Sequence, residues 1–204
     1  MKKLIHSRKA LISAITVILM VSAGIGIFDV FFEDSNLRIL AQDKAYRSGQ
    51  PFANDWNELY QEAPFKSVLN LRGQNPGRDW YEPEAAFMAQ NGINHYNLAL
   101  SAHKKPDLVM MEKMVAIMKA APKPLLIHCK QGADRSGLAS ALYAYAIEGQ
   151  TAPEASKQLS LWYGHFRWFN TTVAMDNAFD EFVKAHPQPL ISLHASNQMI
   201  TNAN

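Results

Sequence analysis

The sequence predicts an α/β protein whose central, mainly parallel sheet is flanked by helices on both faces. Three observations carry this prediction. Apolar runs of strand length alternate with stretches of helical period from residue 54 to residue 185. Turn residues, such as Gly73-Gln74-Asn75-Pro76-Gly77 and Asn91-Gly92, punctuate the alternation. One strand pattern, Pro124-Leu125-Leu126-Ile127, runs through a glycine-bearing loop into an apolar helix from Leu138 to Ile147. Parallel strands need right-handed crossovers and present their ligand crevice at the strand carboxyl ends.

The elements follow in order. Residues 54–63 read as a helix capped by Asn54 or Asp55, with Trp56, Leu59 and Tyr60 on one face. Residues 65–71 and 93–98 read as strands, and 82–90 as the helix between them. Residues 106–120 form an amphipathic helix with an apolar stripe of Leu108, Met111, Val115 and Met118, which is core filler rather than a cofactor box. The helix after Gly137 is apolar on nearly all sides and is therefore buried. Residues 152–161 read as a helix with Pro153 in its first turn, and 163–169 as an aromatic loop, which is core edge around a turn or, as the alternative, a rim that grips a substrate. A last helix runs to about Ala185, capped by Asn170 or Thr171, with Val173, Phe179, Phe182 and Val183 inward.

The chemistry concentrates in His128-Cys129-Lys130-Gln131-Gly132-Ala133-Asp134-Arg135-Ser136-Gly137, which holds the one cysteine of the chain. A thiol attacks only as thiolate, and a helix N-terminus or nearby cations lower its pKa. The loop amides of Lys130, Gln131, Gly132 and Ala133 form an anion nest, the next helix aims its positive end at it, and Arg135 adds a planar fork of donors that fits two phosphate oxygens. Gly132 lets the backbone turn so that the amides converge. Ser136 lies beside the sulfur, where its hydroxyl can help the thiolate leave. The alternative is a buried structural cysteine at a strand end, which leaves the placing of Gly132, Arg135 and Ser136 unexplained.

This segment resembles the His-Cys-x5-Arg-Ser/Thr signature of the cysteine-dependent protein tyrosine and dual-specificity phosphatases. Residues 45–51, 67–73 and 97–102 are similar to the opening of compact bacterial members, so the resemblance covers about residues 37–185. It implies phosphomonoester hydrolysis through a phosphocysteine on Cys129, without a cofactor. It also implies a proton donor, and many relatives carry an aspartate on a loop before the cysteine. Here that stretch reads Leu100-Ser101-Ala102-His103-Lys104-Lys105-Pro106-Asp107, and Asp107 equally suits the first turn of the following helix. Asp134, directly before Arg135, is the preferred acid, and the arrangement resembles myotubularin-type lipid phosphatases; bracing Arg135 or capping the helix are its alternatives. Lys130 is a position where phosphoinositide phosphatases often carry lysine. Arg72 ends a strand pattern on the ligand side and either lines the pocket or forms a structural ion pair.

Hydrophobic content of 48% with 19% charged residues supports a packed core rather than disorder. A formal net charge of +2 gives no broad basic field for nucleic acid, so anion affinity has to be local. One cysteine excludes an internal disulfide, and the histidines show no metal-ligand spacing. Lys2, Lys3, Arg8 and Lys9 precede nineteen uncharged residues, Ala10 to Phe28. That pattern reads as an uncleaved transmembrane anchor over 10–32, rather than a cleaved signal peptide with its weak site at Ser22-Ala23-Gly24. The positive-inside rule then places the basic N-terminus, residues 1–9, in the cytoplasm and the domain beyond the membrane, in a periplasm if the source is a Gram-negative bacterium. The expected organisation is a linker over 33–44, a phosphatase domain over 45–186 and a frayed tail over 187–204.

The expected partners are a phosphorylated protein, lipid or small molecule and the membrane. Phosphoinositide or small phosphate-ester hydrolysis, a catalytically weak phosphate-binding module, and a rhodanese-like or arsenate-reducing thiol enzyme are the competing readings.

Overall fold

Among the described residues, five strands, each four residues long, form one sheet: β1 (Arg38–Ala41), β2 (Ala45–Ser48), β3 (Ser67–Asn70), β4 (Asn94–Asn97) and β5 (Leu125–His128). Their order is β1-β2-β5-β3-β4, so the strand that ends at His128 is central. The β2–β5, β5–β3 and β3–β4 pairs are parallel, and only β1 is antiparallel. This is the architecture of a computed structural model that describes residues 12–22, 24, 35–168 and 173–187.

Among the described residues from Ser35 onward, six helices flank the sheet: α1 (Trp56–Glu62), α2 (Glu82–Gln90), α3 (Leu108–Ala120), α4 (Asp134–Ala146), α5 (Ala152–Ala155) and α6 (Val173–Ala185). The sheet is covered on both faces because its strands alternate their side chains. Leu125, Ile127 and Leu69 join the larger core with α3, α4 and α6, where Met111, Met114, Leu142, Phe179 and Phe182 meet. Leu126 and Val68 face the smaller core with Trp56, Leu59, Phe87 and Met88 from α1 and α2. Strands buried on both sides read as continuous apolar runs, as Leu125-Leu126-Ile127 does. Every residue of α4 from Ser136 to Ala146 is buried, as its all-round apolar sequence predicts.

The register aligns the strand ends. Ser48, His128 and Asn70 are paired neighbours, so Gly49, Cys129 and Leu71 leave three adjacent parallel strands at one edge of the sheet. Asp107 caps α3, its side chain accepting from the Met110 N–H at 2.8 Å.

Several expectations change. Residues 38–41, expected within a linker, form the edge strand β1. The helix expected over 152–161 breaks after one turn of α5 into two 3₁₀ turns, Ser156–Gln158 and Leu161–Tyr163. The expected cap of α6 at Asn170 or Thr171 and the tail from 188 onward lie outside the described residues.

The transmembrane anchor over 10–32 is overturned, and with it the single-pass membrane localisation, the cytoplasmic N-terminus and the membrane contact. Among the described residues no helix is long and apolar enough to cross a membrane. Within the expected span, residues 12–22 are helical. The unit from Met1 to Asp34 is separate from the unit that begins at Ser35 and holds the sheet.

Candidate active site

Cys129 is the first residue past β5 and is buried. Its Sγ lies 3.4 Å from the Ser136 Oγ. Burial opposes ionisation of the thiol. The Arg135 charge, the Ser136 hydroxyl and the N–H groups of Ser136 and Gln131 outweigh it, and hold the thiol below its ordinary pKa.

The amides of the loop face the sulfur side because its carbonyls are held on the other. Lys130 O accepts from the Gln50 N–H at 3.1 Å. Gln131 O accepts from Asn36 Nδ2 at 3.3 Å. Gly132 O and Ala133 O accept from Arg47 Nη2 at 2.8 and 3.2 Å. Four consecutive carbonyls thus have donors from the segment 36–50, and a peptide whose carbonyl points out presents its N–H inward.

Arg47 is fully buried on β2. Its Nη1 donates to Gln158 O at 2.8 Å and to Gln158 Oε1 at 2.9 Å, and its guanidinium lies 4.1 Å from the centre of the Tyr163 ring. Burial lowers its pKa to about 10, partly offset by Tyr163 and Cys129. Gly132 has a φ of +72°, and a Cβ there would sit 2.6 Å from Gly49 N. No side chain fits between the loop and the end of β2.

Arg135 lies in the first turn of α4 and donates through Nη1 to Leu71 O at 3.3 Å and Leu100 O at 3.2 Å. It shares a cavity of about 480 Å³ with Arg72, Asn75, Arg78, Asp79, Trp80 and Lys130. Arg72 Nη1 donates to Gln50 Oε1 at 2.9 Å, and its guanidinium stacks 3.2 Å from the centre of the Trp80 ring. The sequence-predicted residues Cys129, Lys130, Gln131, Gly132, Ala133, Arg135 and Ser136 therefore come together in the loop, and Arg72 joins Lys130 and Arg135 at its mouth.

Asp134 is placed differently. Its Oδ1 accepts from His165 Nδ1 at 2.7 Å, while His165 Nε2 donates to Asp176 Oδ2 at 2.8 Å. Arg167 Nε pairs with the other Asp176 oxygen at 2.9 Å. The His165 side chain is fully buried. Burial opposes its charge, but bonds to two carboxylates raise its pKa to about 9. Asp134 thus tethers the loop to the segment 165–176 and does not cap α4, whose N-terminus has no side-chain cap.

A second buried hub lies under His128. Glu84 on α2 is fully buried and accepts from His128 Nε2 at 3.0 Å, His95 Nε2 at 2.8 Å and Gln50 Nε2 at 2.8 Å. Burial opposes its charge, but His128 and these bonds hold the carboxyl well below the usual range. Through Gln50, this carboxylate connects the β5 end to Arg72. Sequence reasoning missed Glu84, His165, Asp176 and Asn36, and left Arg47 without a position. The signals were acids or histidines inside apolar patterns, Glu84 next to Phe87-Met88 and Asp176 next to Met175, since a buried acid demands a partner.

A family model described as "DSP-PTPase phosphatase fused to NAD+ Kinase" matches residues 30–174. The inositol diphosphatase SIW14 of Saccharomyces cerevisiae is 26% identical over 97 residues, 45% of this chain and 33% of that protein. The inositol diphosphatase DSP2 of Oryza sativa subsp. japonica is 28% identical over 100 residues, 47% of each. The chain therefore spans a third to a half of the length of the curated relatives it matches. Among solved structures, TpbA of P. aeruginosa superposes with a TM-score of 0.57 at 23% identity, covering 75% of this chain and 91% of that one. The core catalytic domain of S. cerevisiae SIW14, a PP-IP phosphatase in complex with citrate, gives 0.55 at 19% identity over 74% and 93%. These superpositions show the fold, and the family model spans well over half of the sequence: the chain belongs to the cysteine-dependent dual-specificity and tyrosine phosphatases, in the family of the DSP-PTPase phosphatase fused to NAD+ kinase.

Proposed function

We propose that this chain hydrolyses a phosphate ester or anhydride on a small, multiply phosphorylated molecule. The catalytic unit is the sheet-bearing region from Ser35 through α6. The Cys129 thiolate attacks phosphorus, forming the S–P bond as the bond to the leaving oxygen breaks. The inward amides of the peptides whose carbonyls are held, those of residues 131–134, and the Arg135 guanidinium hold the equatorial oxygens. Water then attacks the phosphocysteine, releasing phosphate, and the Ser136 hydroxyl stabilises the departing thiolate from 3.4 Å.

One observation carries the reaction type: a buried thiol kept ionisable by Arg135, Ser136 and two amides. The substrate class rests on the mouth, where Arg72, Arg78, Lys130 and Arg135 line one cavity with a single acid, Asp79. Four cations exceed what one phosphate can use, and fit a substrate with further phosphates. The names of the two curated relatives, inositol diphosphatases, support the same class.

Cys129→Ser is expected to reduce aryl phosphate turnover to the no-enzyme background, and rapid acid quenching of the wild type to trap a phosphocysteine. Undiminished turnover by the purified variant would overturn the reading. A panel of inositol phosphates, inositol diphosphates, phosphoinositide lipids and phosphotyrosine peptides tests the substrate class. A kcat/KM for the peptide above that for the polyphosphates would reject it.

A further inference from the structure

We propose that Asp79, on the loop between β3 and α2, is the general acid that protonates the leaving oxygen. This rests on the phosphatase reading above and adds the residue that completes it.

A phosphoryl group seated in the loop has its sulfur-facing side toward Cys129, so in-line displacement sends the leaving oxygen out through the mouth. The proton donor therefore has to line the mouth cavity. Of the residues there, Arg72, Asn75, Arg78, Asp79, Trp80, Lys130 and Arg135, only Asp79 carries a carboxyl. Lys130 is the one other group able to give up a proton, because guanidinium stays charged.

The rival acids are engaged elsewhere. Asp107 is committed to the Met110 N–H as the cap of α3. Asp134 is committed to the buried His165 ring, itself held by Asp176. Glu84 is fully buried under three donors. Asp79 is exposed and follows the turn at Gly77, whose φ is +77°. Its neighbour Trp80 stacks on Arg72, which anchors the loop against the mouth. In the reaction the Asp79 carboxyl gives its proton to the leaving oxygen as the P–O bond breaks. Its carboxylate then takes a proton from the water that attacks the phosphocysteine, which returns the carboxyl to its starting state.

The charged groups facing Asp79 are Arg72 and Arg78 from its own loop and Lys130 and Arg135 from the signature loop. All are cations, so among the described residues the acid has no competing carboxylate in the cavity.

The test compares leaving groups in the full chain. With an unactivated phenyl phosphate, Asp79→Asn is expected to lower kcat by roughly 10²-fold or more and to abolish the basic limb of its pH profile. With an activated nitroaryl phosphate, which leaves without a proton, the loss is expected to stay within about threefold. Asp79→Glu should restore part of the phenyl phosphate rate. Equal losses on both substrates, or no loss on either, would overturn the proposal. So would the same leaving-group selectivity appearing in Asp134→Asn, Asp107→Asn or Lys130→Met instead. Phosphocysteine trapping in Asp79→Asn with the activated ester separates the two ideas. A trapped intermediate without selectivity rejects the acid alone, whereas no intermediate in the wild type rejects the phosphatase reading.

Discussion

The loop that carries Cys129 has two sides built on opposite terms. Behind it, Arg47, Asn36, Gln50 and the His165–Asp134 pair hold every carbonyl from Lys130 to Ala133 and the first carboxylate of α4, with Arg47 and His165 fully buried. In front of it, Arg78, Asp79 and Lys130 are exposed and line an open cavity. The back fixes the geometry of the amides, so changes there should alter turnover. The front meets the substrate, so changes there should alter selectivity and binding.

Arg47→Met tests the contrast most severely. The substitution leaves Gly132 O and Gln158 O without their donor, at about 1–3 kcal/mol each. It also removes a guanidinium whose pKa burial has pulled from 12.5 to about 10, a cost of about 3 kcal/mol for keeping that charge. The two effects largely cancel, so folding stability measured by urea denaturation should change by no more than about 2 kcal/mol. Turnover should nonetheless fall by roughly 10²-fold or more, because freed carbonyls let the amides rotate out of the nest. A variant that keeps its kcat would show that the amides need no bracing from β2.

Gly132→Ala strikes the same side through sterics. A Cβ 2.6 Å from Gly49 N at a positive φ cannot be relieved without moving backbone. A loss of about 2 kcal/mol or more and a collapse of vanadate affinity are expected. Calorimetry and vanadate inhibition check it together, and a variant with unchanged melting temperature would contradict the packing.

His165 makes the stability of the back depend on pH. Its pKa is raised from 6.5 to about 9 by folding. A raised value means that the contribution is fully present below about pH 6.5 and is lost as pH climbs through about 9. The contribution is up to about 3 kcal/mol, and urea midpoints should fall between pH 7 and 9.5. His165→Gln, which keeps hydrogen-bonding capacity without the charge, should flatten that slope. A wild type with constant midpoints across the interval would remove the imidazolium from the account.

How far the sequence reveals all this follows the same division. The run from Leu125 through the loop into α4 was legible because strand, turn and buried helix each leave a local pattern, and α2 was legible to its last residue because Asn91-Gly92 stops it. The strands β1 and β2 left no clear pattern. Arg38-Ile39-Leu40-Ala41 and Ala45-Tyr46-Arg47-Ser48 are four residues long and carry arginines, and Arg47 is buried only because the loop supplies its acceptors from 85 residues away. The break after α5 was hidden because its turns are fixed by contacts to Gly137 and Arg47. The apolar N-terminal run misled, since an uncharged composition alone does not establish a helix long and apolar enough to cross a membrane, and none is found among the described residues. The site followed suit: nucleophile, arginine and loop share one decapeptide, while Glu84, His165 and Asp176 reach it only through tertiary packing.

The smallest effect belongs to the front, and it is the sharpest test of what the front is for. Arg78 is exposed and lines the cavity, and among the described residues no ion pair joins it to a carboxylate. Arg78→Ala should therefore leave stability within about 0.5 kcal/mol, as surface substitutions usually do. For a substrate with a single phosphate, which Cys129 and Arg135 already hold, KM should stay unchanged. For an inositol polyphosphate, KM should rise several-fold with kcat preserved, since the lost contact binds ground state and transition state alike. The ratio of the two KM changes isolates the second phosphate from everything else the loop does. Equal changes for both substrates would mean that Arg78 acts as general positive potential, and that the front selects charge rather than a polyphosphorylated molecule.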